Sequence, residues 1–86
     1  MYEERFTVTN AEGLHARPAA KLVEVAGRFQ STIEIVYKDK AFNAKSILSI
    51  MGAGIYSGAE VALRIEGADE EEAAAAVGAY MANLPD

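Results

Sequence analysis

Glu60-Val61-Ala62-Leu63-Arg64-Ile65-Glu66 alternates without a break, with Val61, Leu63 and Ile65 on one side and charged or small residues on the other. A two-residue period belongs to a β-strand with one face buried and the other in water. Strands of that kind need cover on one face only, so the helices must gather on a single side of an antiparallel sheet. Gly67 ends the strand. Beyond it, Asp69 with Glu72 reads as an acidic capping box, opening a helix that carries Val77, Tyr80, Met81 and Leu84 on one side. The acidic run from Asp69 to Glu72 also sits where the helix dipole favours negative charge. Gly78, inside that helix, costs up to ~1 kcal/mol relative to alanine.

Toward the N-terminus, Arg5-Phe6-Thr7-Val8-Thr9 repeats the alternation and predicts strand one. Asn10-Ala11-Glu12-Gly13 is a loop of turn residues, leading into Leu14-His15-Ala16-Arg17-Pro18 and an alanine-rich helix that ends near Gly27. Pro18, Leu22, Val25 and Phe29, flanked by Ala19, Val23 and Ala26, give this helix a broad apolar face. Ile33, Ile35 and Tyr37 alternate with Thr32, Glu34 and Val36. Lys38-Asp39, not a favoured turn pair, then separates them from Lys40-Ala41-Phe42-Asn43 in what reads as a hairpin. Ser46 followed by Ile47-Leu48-Ser49-Ile50-Met51 and closed by Gly52 and Gly54 reads as a short helix, with serine as N-cap and glycine as stop. The order is β-α-β-β-α-β-α and the class α+β: an open-faced β-sandwich, a four-stranded antiparallel sheet covered on one face by three helices.

Size scaling gives a chain of 86 residues a folded surface of roughly 4,900 Å² against about 13,000 Å² unfolded, enough for one core and one domain spanning residues 1–86. Thirteen acidic against eight basic residues leave a net charge of -5, which argues against a nucleic-acid binder. With no cysteine and a single histidine, disulfides, thiolate nucleophiles and the usual metal sites are out of reach, and no cofactor is implied. The start Met1-Tyr2-Glu3-Glu4-Arg5-Phe6 lacks the apolar core of a leader, and no apolar run approaches the ~20 residues of a membrane span. A cytoplasmic protein is the expectation.

Chemistry concentrates at Gly13-Leu14-His15-Ala16-Arg17-Pro18. A helix start leaves N–H groups without acceptors and a partial positive charge. Pro18 has no N–H, so the free donors are those of Ala16 and Arg17, a small anion site. His15 stands at or just before the first helical residue, where the dipole and Arg17 favour a neutral imidazole able to act as a nucleophile. Proline's preference for the first helical position would instead make Arg17 the cap, with His15 still at the helix mouth. Taken singly, a loop histidine and a surface arginine are most often without a role; their joint placement shifts the weight. The second place is the short helix after Ser46. Ile47, Leu48, Ile50 and Met51 cannot all face one sheet, so apolar surface must stay exposed and invite a partner. Ser46 is useful as a cap alone, worth ~1 kcal/mol. A phosphate there would also be electrostatically favourable.

Gly13-Leu14-His15-Ala16-Arg17-Pro18-Ala19-Ala20, followed by Lys45-Ser46 and by Gly54, resembles the histidine-containing phosphocarrier (HPr) family of the bacterial phosphoenolpyruvate-dependent sugar phosphotransferase system, over essentially the whole chain. The resemblance implies an open-faced β-sandwich and a carrier, not an enzyme. His15 would accept a phosphoryl group on Nδ1 from phosphorylated enzyme I and pass it to sugar-specific enzyme IIA components. Arg17 and the Ala16 N–H would stabilise its oxygens, and Ala20, Ile47, Leu48 and Met51 would dock both partners. Ser46 matches the position modified by HPr kinase/phosphorylase in low-GC Gram-positive bacteria. The phosphoserine form there is a poor acceptor and a corepressor of catabolite control protein. The residues after Ile47 depart from the pattern frequent in Gram-positive relatives. Glu12 stands where many relatives place a small hydroxyl or amide residue. A carboxylate there would repel a phosphohistidine unless it turns to solvent. A monomer is expected of a carrier that presents one face to successive partners. Two alternatives stand beside this: a regulatory HPr-like paralogue not coupled to sugar uptake, and a small α+β enzyme such as an acylphosphatase-like domain, whose phosphate-cradling loop this chain lacks.

Overall fold

The strand that decides the class is the second from one edge of the sheet. In the computed structural model, which describes residues 1–85, β4 (Glu60–Glu66) pairs with β1 (Tyr2–Thr7) on one side and β2 (Thr32–Tyr37) on the other. β3 (Lys40–Asn43) completes the sheet in the order β1-β4-β2-β3, antiparallel throughout. The helices are α1 (Ala16–Ala26), α2 (Ile47–Gly52) and α3 (Glu70–Ala82), so the expected order is realised.

Register explains the single-sided cover. Ile33 lies opposite Ile65 and Ile35 opposite Leu63, and all four are buried. The intervening positions form the open face, where Arg64 pairs with Glu34 at 3.3 Å across the β2–β4 ladder. Leu22, Ala19 and Val25 of α1, Ile50 of α2 and Ala73, Val77 and Met81 of α3 fill the space over the apolar face. Among the described residues, no helix is long and apolar enough to cross a membrane.

Three expectations are corrected. Strand one starts at Tyr2 rather than Arg5 and stops at Thr7, with Val8 buried just past its end. Its inward positions are Tyr2, Glu4 and Phe6, opposite Ile65, Leu63 and Val61. Glu4 breaks the apolar pattern at the sheet edge, where it accepts the Tyr2 hydroxyl. Second, Asp69 stands before α3, but its side chain does not cap the helix. Its carboxylate accepts the N–H groups of Gln30 (2.8 Å) and Ser31 (2.9 Å) and the Ser31 hydroxyl, fastening α3 to the loop before β2. The Ser31 hydroxyl above all, and then the Gln30 N–H, hold the Asp69 carboxyl below its usual range. Reciprocal contact comes from Glu70 instead of Glu72: its carboxylate accepts the Gly67 N–H at 3.1 Å and pairs with the terminal ammonium at 3.2 Å. Third, Gly52 is the last residue of α2 and Ala53 its C-cap, while Gly54 takes the left-handed turn at φ 68°.

The β2–β3 hairpin does turn at Lys38-Asp39, with φ of 53° and 65°. Two consecutive positive φ values define the type I′ geometry that suits the sheet's twist and that Asn-Gly adopts most easily.

Candidate functional site

Leu14 is the anchor of the site. It is buried, and its N–H donates to the Ile55 carbonyl at 2.9 Å, holding the chain just before α1 against the segment that follows α2. Gly13 has φ 68°, and a Cβ there would lie 2.5 Å from the Ile55 oxygen and 2.6 Å from the Tyr56 Cα. Only glycine permits so close a backbone approach. Asn10 closes the loop from the other side: its Nδ2 donates to the Gly13 carbonyl at 2.7 Å, and the Gly13 N–H returns to the Asn10 carbonyl at 3.3 Å.

His15 is the N-cap residue of α1, in extended conformation (φ -78°, ψ -172°), so the alternative that made Arg17 the cap is corrected. Its side chain makes no capping bond, which leaves the imidazole free of the helix it opens. The first intrahelical bond runs from the Ala19 N–H to the His15 carbonyl at 2.9 Å. Pro18 carries no N–H, so the donors left at the mouth are those of Ala16 and Arg17. Nε2 of His15 is buried with no hydrogen-bond partner among the described residues. The residue as a whole is half-buried. Arg17 is exposed and makes no ion pair among the described residues; Glu12 is likewise exposed and unpaired there. The Tyr80 hydroxyl donates to the Pro18 carbonyl at 2.9 Å, tying α3 to the first turn of α1, and burial pushes its phenol pKa up.

Ser46 caps α2, its Oγ accepting the Ser49 N–H at 3.2 Å, as the sequence led one to expect. Of the apolar residues in α2, Ile50 alone is buried; Ile47 (39%), Met51 (44%) and Leu48 (82%) stay exposed. Ala20 is exposed on α1, one turn after Ala16. Because α1 and α2 pack against each other, the residues singled out as chemical and those singled out as docking lie on adjacent helices. Asn10 and Tyr80 were not singled out. Asn10 was legible only as part of a turn, and Tyr80 only as a member of an apolar helix face.

A helix mouth bearing one imidazole, two free N–H donors and an unpaired guanidinium can hold a dianion on a nitrogen nucleophile. The protein-family model described as the PTS HPr component phosphorylation site matches residues 2–83. This chain belongs to the HPr family. It is 40% identical over 84 residues to the phosphocarrier protein HPr of Lysinibacillus sphaericus, covering 98% of this chain and 96% of that one. Among solved structures it is similar to HPr-C-His from Thermoanaerobacter tengcongensis, with 44% identity and a TM-score of 0.89 over 94% of this chain and 91% of the other. It is also similar to Crh, the catabolite repression protein of Bacillus subtilis, described as a domain-swapped dimer, with 40% identity and a TM-score of 0.75 over 94% and 93%. As a member of the HPr family, the chain is a phosphocarrier of the phosphotransferase system and not itself a catalyst. The four-stranded open-faced sandwich is the HPr fold.

Proposed function

We propose that His15 is the phosphoryl acceptor, loaded by phosphorylated enzyme I and unloaded by sugar-specific enzyme IIA components. What supports this reading is the imidazole placed as N-cap of α1 with Nε2 buried; Nδ1 is the nitrogen it assigns to the donor. In loading, the Nδ1 lone pair forms the bond to phosphorus as the donor's bond to phosphorus breaks, and that electron pair leaves with the donor. Transfer to enzyme IIA is the same displacement with roles exchanged, the pair returning to Nδ1. Such in-line transfer asks for positioning and charge stabilisation rather than covalent chemistry from neighbours. The N–H groups of Ala16 and Arg17 and the Arg17 guanidinium supply both to the phosphoryl oxygens. Glu12, exposed in the loop before α1, either points away from the phosphoryl group or makes it more readily transferred.

Ala20, Ile47, Leu48 and Met51 dock both partners in turn. Leu48, the most exposed of the three large side chains, is the anchor, since burying a large apolar side chain stabilises a complex most. Ser46 is the site for HPr kinase/phosphorylase, and its phosphorylated form addresses catabolite control protein. A phosphate on this N-cap would meet the α2 dipole favourably, so it would add negative charge beside the docking helix without unfolding it.

The discriminating experiment loads the protein with labelled phosphoenolpyruvate and enzyme I, then adds the enzyme IIA domain of a sugar permease. Label passing to enzyme IIA supports the sugar carrier. A label that stays on the protein with every such domain tried overturns the downstream half of the reading and favours a regulatory branch. Equal labelling of Ser46→Ala and wild type by kinase and ATP would end the Ser46 assignment.

A further inference from the structure

Asn10 and Ser31 are the buried polar residues among those described. Ser31 has its partner in Asp69, but Asn10 is only half satisfied: Nδ2 donates to the carbonyls of Gly13 (2.7 Å) and Pro85 (3.3 Å), while Oδ1 is buried with no partner among the described residues. A buried acceptor without a donor opposes folding, so a residue kept in that state calls for an explanation. Its two donated bonds supply one. They join the loop that presents His15 to the last described residue of the chain, across 75 positions of sequence. Among the described residues the other buried side-chain atom without a partner is His15 Nε2, five residues on at the start of α1.

Among the described residues no hydrogen bond holds the imidazole, so its placement rests on the packing around it and on the backbone from Asn10 to Leu14 that carries it. That backbone is fixed by the Asn10 clamp, by Gly13 lying against Ile55 and Tyr56, and by the Leu14 N–H on Ile55. A half-turn of the ring would bury Nδ1 and offer Nε2 to the donor instead. We propose that Asn10 is a positioning residue: its carboxamide, tied to Gly13 and Pro85, holds the loop so that His15 presents Nδ1 and not Nε2. This rests on His15 being the phosphoryl acceptor.

The test compares wild type, Asn10→Ala and a chain ended after Leu84, each loaded by enzyme I and phosphoenolpyruvate. Folding is checked by amide dispersion in the NMR spectrum, transfer by its rate at saturating enzyme I, and the isomer by ¹⁵N shifts of the single histidine. Wild type is expected to carry the Nδ1 isomer alone. Asn10→Ala, folded, is expected to load about tenfold more slowly or to show a measurable Nε2 fraction, as a reacting atom displaced within its site should. The shortened chain, which loses the Pro85 bond, is expected to change in the same sense by less. A folded Asn10→Ala with wild-type rate and isomer overturns the proposal. Should that variant not fold, the shortened chain decides alone: a changed rate or isomer supports the clamp, and wild-type values refute it. A wild type that takes no phosphoryl group on His15 fails at the first step, which marks the parent reading as wrong rather than the clamp alone.

Discussion

Gly13→Ala is the sharpest perturbation the site offers. An alanine Cβ would lie 2.5 Å from the Ile55 oxygen, 2.6 Å from the Tyr56 Cα and 2.8 Å from the Tyr56 carbonyl carbon, all backbone atoms that no rotamer change can move aside. The φ of 68° adds a left-handed penalty of about 1–2 kcal/mol. Overpacking against fixed atoms adds about 1–3 kcal/mol. A loss near 3 kcal/mol follows, a large part of the roughly 5–15 kcal/mol a domain possesses. For a chain of this length that lowers Tm by roughly 12–24 °C. Urea unfolding followed by circular dichroism gives the free energy, with Gly52→Ala as the control, since a Cβ there meets nothing within 4 Å. The loop must also lift from Ile55, so phosphoryl loading should fall with stability. A Gly13→Ala protein within about 0.5 kcal/mol of wild type, the range of an ordinary surface change, would refute the account of how the loop is held.

Gly78→Ala should do the reverse. Its Cβ would sit 3.7 Å from the Tyr2 hydroxyl and 3.9 Å from Glu4, ordinary contact distances, so the helix gains about 0.5–1 kcal/mol, read as a higher Tm. Asp69 contributes to the acid limb of stability. Its carboxyl is held low by the Ser31 hydroxyl and the Gln30 N–H in the folded state, so its contribution is present above the unfolded value of about 3.9 and is lost as pH falls through the lower folded value. Asp69→Asn should therefore be less stable at neutral pH and should lose less on acidification below about pH 4; parallel pH curves for the two proteins would contradict this. Leu48→Ala, removing an exposed side chain, should leave unfolding free energy within about 0.5 kcal/mol of wild type while weakening binding to enzyme I in a titration calorimeter.

Most of the fold could be read because its decisive signals are local. Val61, Leu63 and Ile65 set the buried face of β4 by their spacing alone, and Ser46 announced the start of α2 by its chemistry. The apolar surplus of α2 likewise predicted its exposed Ile47, Leu48 and Met51. What escaped depends on partners distant in sequence. Asp69 looked like a cap for its own helix, but two N–H groups and a hydroxyl at Gln30 and Ser31 compete for its carboxylate and win. The early start of β1 was hidden by Glu4, a carboxylate in an inward slot that is tolerable because the slot lies at the sheet edge beside the Tyr2 hydroxyl. At the site, the stretch from Gly13 to Pro18 could be recognised, whereas Asn10 could not. Its meaning lies in carbonyls of Gly13 and Pro85 that only the folded chain brings together.

The central claim is tested most directly by intact-mass spectrometry after incubation with phosphoenolpyruvate and enzyme I, repeated with His15→Ala and after brief acid treatment. The account predicts one phosphoryl group on wild type, lost in acid and never acquired by the variant. A folded wild type that gains none, or a phosphoryl group that persists in His15→Ala, would contradict it.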